Sequence, residues 1–305
     1  AIVAHLEANV TIGGVTFGTI TQGTTTDNLS LSDVEVLNGT DSNDTIYGMS
    51  LISGVLKTIN GGTGNDFIKG NSANIAEYID AGNNDDTVEG GGGADTIYGG
   101  GGSDLIYGAI DGDTIYGGET NETLGGDTID FSHVSGNPLE IIMNSSAQGL
   151  VKVSGTNQSY FYEMENVVGT ASDDTIRGDA QGNALSGGVG DDTLSGGAGN
   201  DVIDGGANTT AVGDWVDFYG DGVVDAVNGI TLDLSTKTQQ LISATRGSDT
   251  ITNIENVKGT DKNDVIWGDS VGNYSTGSVH TILGMNGDDR FYMRGGNNYV
   301  DGGDN

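Results

Sequence analysis

Single branched apolar residues recur along much of the chain at intervals of nine, each between two polar or aromatic positions and each preceded by glycines. Ile97, Ile106 and Ile115 stand in three consecutive units, Gly90–Tyr98 (GGGGADTIY), Gly99–Tyr107 (GGGGSDLIY) and Gly108–Tyr116 (GAIDGDTIY). The same frame fits Gly61–Lys69 (GGTGNDFIK), Gly187–Ser195 (GGVGDDTLS) and Gly196–Asp204 (GGAGNDVID). Looser copies are Gly39–Tyr47, Ala81–Glu89, Gly169–Arg177, Gly178–Ser186, Gly259–Trp267, Gly284–Tyr292 and Met293–Asp301. One apolar position in nine is too sparse for an amphipathic helix. The pattern predicts a short strand at positions seven to nine, with position eight inward and its neighbours outward. Positions one to six form a turn in which glycine permits positive φ and close backbone approach.

The pattern G-G-x-G-x-D-x-U-x resembles the calcium-binding nonapeptide repeats of the RTX family of secreted bacterial proteins. The resemblance covers most of the chain outside the N-terminal stretch and two inserts. It implies an all-β fold, a right-handed parallel β-roll (a solenoid) in several tracts joined by β-strand inserts, with two nonapeptides to each coil. Repeats n and n+2 then stack on one edge at about 4.8 Å. Aspartates at position six form ladders, and neighbouring carboxylates repel by about 0.9 kcal/mol in water and about 3.5 kcal/mol at an effective dielectric of 20. Such a ladder calls for a cation. Turn carbonyls and carboxylates are hard oxygen donors, with neither imidazole nor thiolate in the frame, which favours Ca²⁺ over Mg²⁺.

Carried over by position, the resemblance implies the metal ligands Asp44, Asp66, Asp86, Asp95, Asp104, Asp113, Asp174, Asp192, Asp201, Asp264 and Asp289. Asp127 and Asp214 hold the same place in longer coils. Asn183 and Asn298 replace Asp and lose its charge, Glu77 is a weaker candidate, and His280 stands where Asp is expected. Stacked turns offering several oxygens to each ion give multiple calcium ions, roughly ten.

A larger module overlies the nonapeptides. Val34–Thr40, Met164–Thr170 and Ile254–Thr260 resemble one another and each introduces a tract, while Ile129-Asp130-Phe131 and Val216-Asp217-Phe218 end tracts. The expected organisation is a partial insert at 1–38, roll tracts at 39–131, 169–218 and 259–305, and β-strand inserts at 132–168 and 219–258 that continue or cap the stack. Ala1–Ala8 reads as a strand of such an insert. Because the module pattern continues at both ends, the chain reads as a piece of a longer polypeptide.

Composition and charge narrow the function. The chain has 55 glycines among 305 residues, one proline and no cysteine. Collagen is excluded, since it needs about one-third glycine with abundant proline. With 10 basic against 44 acidic residues the formal charge is −34, which disfavours nucleic acid and anionic membrane surfaces. No apolar run is long enough to span a bilayer, and without cysteine there is no disulfide framework or thiolate site. No H-E-x-x-H, G-x-S-x-G or Walker pattern appears. His5, His133 and His280 read as surface or turn residues. The expectation is a non-enzyme.

Tyr98 and Tyr116, at position nine of alternate repeats, are expected to stack on one sheet face. The Asn-x-Ser/Thr sequons, such as Asn38 and Asn157, match the chance level of a chain this rich in those residues. Thus the residues point to a secreted, extracellular calcium-binding structural segment, of surface-layer, sheath, filament or adhesin type. Its partners are calcium, and copies of itself in a lattice or filament or cell-surface polysaccharide. The alternative is the secretion and folding module of a type I-secreted enzyme or toxin. An ice-binding array ranks low, because position three carries no regular file of Thr and Asn.

Overall fold

The computed structural model describes residues 10–12, 15–17, 36–47, 58–72, 74–108, 110–118, 126–144, 148–224, 229–269, 279–295 and 297–304. The strand expected at Ala1–Ala8 and the start of the Val34–Thr40 segment lie outside them. Every regular element among the described residues is a strand, and among them there is no helix long and apolar enough to cross a membrane. The chain divides into two compact units, residues 1–131 with 157–164 and residues 132–156 with 165–305.

In the first unit two parallel sheets are built from alternate repeats. One runs Val36–Asn38, Thr58–Thr63, Tyr78–Asn83, Thr96–Gly101, Thr114–Gly118 and Thr156–Tyr162. The other runs Thr45–Tyr47, Phe67–Lys69, Thr87–Glu89, Leu105–Tyr107 and Thr128–Asp130. The register places position eight on position eight. Ile59, Ile79, Ile97, Ile115 and Phe161 form one inward file, and Ile46, Ile68, Val88, Ile106 and Ile129 the other, all buried. Positions seven and nine are only half-buried, as the two-residue period of a strand requires. This is a β-roll whose core is two rows of branched side chains.

The second unit repeats the plan. Leu139–Ile142, Thr175–Arg177, Thr193–Ser195, Trp215–Asp217, Asn256–Lys258, Val279–Leu283 and Asn297–Asp301 pair in parallel. Asn166–Val168, Ala184–Val189, Val202–Ala207 and Gly247–Thr252 form a second parallel set. Thr231–Asp233, Val265–Trp267 and Arg290–Tyr292 form a third. Strands of both inserts therefore extend the stack. Each insert also adds an antiparallel arm, Gly149–Val153 on Leu139–Ile142 and Gln240–Ser243 on Gly247–Thr252. Within the first insert a further strand runs Thr156–Tyr162.

Phe131 and Phe218, from the two Asp-Phe tract endings, are buried. Phe131 fills the space beside Gly108, where any Cβ would overlap its ring. Glycine is required elsewhere because coils nearly touch. A Cβ on Gly62, at φ +119°, would overlap the Thr40 carbonyl of the preceding coil. One buried branched side chain per nine ordered residues is a thin core against the backbone entropy lost. The edges of the roll must contribute.

Candidate metal centres along the coil edges

Position six lies two residues before the buried position eight, so its side chain also points inward, at the corner where turn becomes strand. All the aspartates there are buried except Asp289, which is half-buried, and they stack in files through one repeated hydrogen bond. The backbone N–H of each donates to Oδ1 of the residue one coil further on. In the first unit one file links Asp44, Asp66, Asp86, Asp104 and Asp127, at 2.7–2.8 Å. The opposite edge links Glu77, Asp95 and Asp113, and Asp113 N–H donates to Ser159 Oγ at 3.1 Å. In the second unit the files are Leu139, Asp174, Asp192, Asp214 and Glu255, then Asn183, Asp201 and Asp249, then Ile230, Asp264 and Asp289.

The second carboxylate oxygen decides the chemistry. Oδ2 of Asp66, Asp86, Asp95, Asp192, Asp201, Asp214 and Asp289 is buried with no hydrogen-bond donor, as is Oε1 of Glu77. A buried carboxylate in that state is costly unless something positive faces it. Burial pushes Asp86, Asp192, Asp201 and Asp214 up to about 7, each with a hydrogen bond from the neighbouring coil opposing the rise and nearby carboxylates adding to it. Asp95 rises to about 6 and Glu77 to about 7 for the same first cause. The space that a Cβ on Gly187 would fill is lined by Asp192 Oδ2 and the Gly205 carbonyl. Beside Gly61 the same space is lined by Asp66 Oδ2 and the Ala81 carbonyl, and beside Gly205 by Asp214 Oδ2 and the Asn253 carbonyl. Each of these three turns thus offers a carboxylate oxygen and a carbonyl oxygen from adjacent coils at one point. Among the described residues no three His, Cys, Asp or Glu side chains gather as a metal cluster. The donors are distributed in rows, with backbone oxygens making up the set, and an all-oxygen set fits calcium.

All thirteen aspartates expected as ligands lie in these files, including Asp127 and Asp214 from the longer coils. Other members come from outside the glycine frame. Glu77 takes an aspartate's place, and Ser159, Asp249 and Glu255 extend three files from the inserts. The shorter triplet of a polar residue, any residue and an apolar one marks them: Asp249-Thr-Ile, Ser159-Tyr-Phe and Glu255-Asn-Val. Position five forms an outer row that was not anticipated. Asn43 Oδ1 accepts from Asn65 N–H, Asp85 from Ser103, Asp173 from Asp191 and Asn263 from Asp288, at 2.9–3.0 Å.

His280 corrects an expectation. It is not a surface residue but is 2% exposed, on a strand that pairs it with Asn298. Its Nδ1 lies 3.8 Å from Oδ1 of buried Asp269. The frame of its coil places position six inward whatever residue stands there. His133 lies exposed in a turn, and His5 falls outside the described residues.

The profile of the RTX calcium-binding nonapeptide repeat (four copies) matches residues 31–50, 58–74, 80–115, 164–194, 178–209 and 253–270. Those segments take in the turns of Asp44, Asp66, Asp86, Asp95, Asp104, Asp113, Asp174, Asp192, Asp201 and Asp264, and leave Asp127, Asp214 and Asp289 outside. Comparison with curated proteins returns no match.

Proposed function

We propose that this chain, whose repeats belong to the RTX calcium-binding nonapeptide family, is an extracellular structural segment of a long secreted bacterial repeat protein, folding when calcium enters its files. The observation that carries this reading is the row of buried carboxylate oxygens without donors, Asp66, Asp86, Asp95, Asp192, Asp201, Asp214 and Asp289. These, with the position-one carbonyls of adjacent coils, are the residues that would hold calcium. The ion supplies the positive charge that the files lack. In calcium-poor cytoplasm the carboxylates oppose folding and the chain stays exportable. Outside, binding to the folded state alone draws the equilibrium over.

A structural and non-enzymatic role is supported by the inserts, whose strands lengthen the roll. Tyr98 and Tyr116 stack at 4.5 Å and 5°, and Tyr116 and Tyr162 at 4.8 Å and 8°. These rings cover one another's faces and present edges and hydroxyls. Sugar stacking needs an open face, so the ladder supports contact with copies of this chain over polysaccharide.

The test is far-UV circular dichroism and sedimentation of the chain in EGTA and then in millimolar calcium, with electron microscopy of the calcium form. The expected result is an unfolded chain that becomes β-rich and assembles into sheets or filaments. A β spectrum unchanged by EGTA overturns the calcium-gated reading. A chain that folds with calcium but stays monomeric favours the second reading, a secretion and folding module of an exported enzyme.

A further inference from the structure

The position-six turns come in two forms, set by the backbone at position two. In the closed form position two is not glycine and its φ is not positive. Its N–H then turns inward and donates to the carboxylate or amide of its own turn. Thr40 N–H donates to Asp44 Oδ2 at 2.6 Å, Asn71 to Glu77 Oε2 at 2.6 Å, Thr170 to Asp174 Oδ2 at 2.6 Å, Asp179 to Asn183 Oδ1 at 2.9 Å and Thr260 to Asp264 Oδ2 at 2.7 Å. The threonines add their hydroxyls, Thr40 Oγ1 to Asp44 Oδ2 at 3.0 Å and Thr260 Oγ1 to Asp264 Oδ1 at 2.8 Å. Each Oγ1 also accepts from the N–H two residues on, at Ser42, Ser172 and Lys262. In the open form position two has positive φ, and its N–H does not donate to Oδ2 of the carboxylate. Gly62, Gly82, Gly91, Gly188, Gly197 and Gly206 do this, and Asp66, Asp86, Asp95, Asp192, Asp201 and Asp214 keep a donor-free oxygen. Met285 tests the rule without glycine: its φ is +75°, and Asp289 Oδ2 is donor-free.

The two forms are ordered along the files. Among the described residues the first repeat turn of each file is closed, those of Asp44, Glu77, Asp174, Asn183 and Asp264, although Glu77 keeps its other oxygen, Oε1, buried without a donor. The turns of Asp66, Asp95, Asp192, Asp201 and Asp289 follow them directly and are open. The stacking explains why the open turns use glycine. A Cβ on Gly62, Gly91, Gly188 or Gly197 would overlap the position-two carbonyl of Thr40, Asn71, Thr170 or Asp179. One of the five first turns carries a neutral Asn, which a turn that had to neutralise an ion would not tolerate as well as Asp.

We propose that the sign of φ at position two selects which turns bind calcium: open turns each contribute an ion-binding carboxylate, and the closed first turns replace an ion with their own N–H and hydroxyl donors. Asp44, Asp174 and Asp264 are then closing groups, and the calcium files start one coil later, at Asp66, Asp192 and Asp289. Thr40, Thr170 and Thr260 are the positioning residues that close them. This inference rests on the calcium-binding reading above.

The experiment counts calcium ions on the full chain by native mass spectrometry at saturating calcium, with circular dichroism confirming that each variant is folded. Asp192→Asn and Asp201→Asn are expected to lose at least one ion each. Asp174→Asn is expected to lose none, and Asn183→Asp to gain none. Asn183 is accepted in a closed turn because its NH2 donates to the Glu165 carbonyl. Asp174 instead accepts from Leu139 N–H as well as Thr170 N–H, so Asp174→Asn loses one of these bonds and is scored for ions only if circular dichroism shows it folded. If Asp192→Asn fails to fold, the pair Asn183→Asp and Asp201→Asn decides alone. Equal ion loss from Asp174→Asn and Asp192→Asn, or an ion gained by Asn183→Asp, overturns the proposal while leaving the calcium reading intact. A wild-type chain that binds no calcium removes both.

Discussion

The backbone N–H of Asp174 donates to Oδ1 of Asp192 at 2.7 Å, while Oδ2 of Asp192 is buried with no donor. One oxygen ties two coils together, and the other creates a demand for positive charge. The tie forms only when the coils are stacked at strand spacing, so stacking and the demand for a cation arise together. This coupling makes a calcium-responsive fold from a thin core.

The same coupling sets a pH dependence. Without a divalent ion, Asp192, Asp201 and Asp214 hold their protons up to about 7 in the folded state, chiefly because they are buried. In the unfolded chain they release them near about 4. A raised carboxyl pKa contributes stability that is present below the unfolded value and lost as pH rises through the folded one. The metal-free chain is therefore expected to gain β structure near pH 4–5 and lose it toward pH 7–8. With calcium the order reverses, because protons and ions compete for the same oxygens, and the calcium midpoint falls as pH rises. Circular dichroism of chelator-treated protein across this range measures both. A metal-free chain whose β content grows with pH contradicts the account.

Glycine substitutions should divide by what stands opposite them. Gly62 combines φ +119° with a carbonyl at the place of its missing Cβ, whereas Gly136, at φ +91°, has nothing within 4 Å. Gly62→Ala carries backbone strain of about 1–2 kcal/mol plus the displacement of a neighbouring coil, and is expected to cost more than about 2 kcal/mol. Gly136→Asn places a residue that tolerates positive φ in open space and is expected to stay within about 0.5 kcal/mol. Urea unfolding in fixed excess calcium compares the two, and equal losses would count against coil contact as the reason for glycine.

How far the residues foretell this structure depends on phase. Where the nine-residue frame is unbroken, it identifies both the inward Ile106 and the file member Asp104 two residues before it. Where the frame lapses, only the short polar-x-apolar triplet remains, and that spacing is too common in a strand to single out a file member. Ser159 and Asp249 enter the files because insert strands dock in register, a tertiary event with no glycine marking it. His280 is buried for the same reason, since the stack and not the residue type decides what faces in. The open or closed state of a turn is visible only in part. Thr at position two marks closure, but Met285 adopts positive φ without being glycine.

The tyrosine ladder gives a graded expectation. Tyr116 is stacked on both sides, by Tyr98 and Tyr162, whereas Tyr78 makes one tilted contact with Tyr98 at 5.4 Å and 41°. Aromatic pairs contribute about 0.5–1.5 kcal/mol each beyond area burial. Tyr116→Ala should therefore destabilise the calcium-bound chain by about 1–3 kcal/mol more than the loss of its buried area, and Tyr78→Ala by about half that excess. Near-UV circular dichroism should lose intensity in the same order. Equal effects at the two positions would show that stacking adds nothing.

The second insert is held by an ion pair that lies 25 residues apart in the chain. Arg246 and Asp221 have side chains only 1% exposed, and Arg246 also donates to the Phe218 carbonyl at 2.9 Å and the Val223 carbonyl at 3.3 Å. Its guanidinium sits 5.4 Å from the Phe218 ring centroid. Burial pulls it down to about 10, against the attraction of Asp264, Asp249 and Asp217, so it stays charged at any physiological pH. Removing one member of such a pair strands the other without water, at about 3–5 kcal/mol, whereas replacing both with apolar groups of similar size is often neutral. Arg246→Met is expected to cost that full amount. The double variant Arg246→Met with Asp221→Leu should recover most of the Asp221 share, but not the two carbonyl hydrogen bonds. A double-mutant cycle read by urea unfolding in saturating calcium measures the coupling. Strictly additive losses would mean that the pair contributes no interaction of its own and that the carbonyl contacts alone hold the insert.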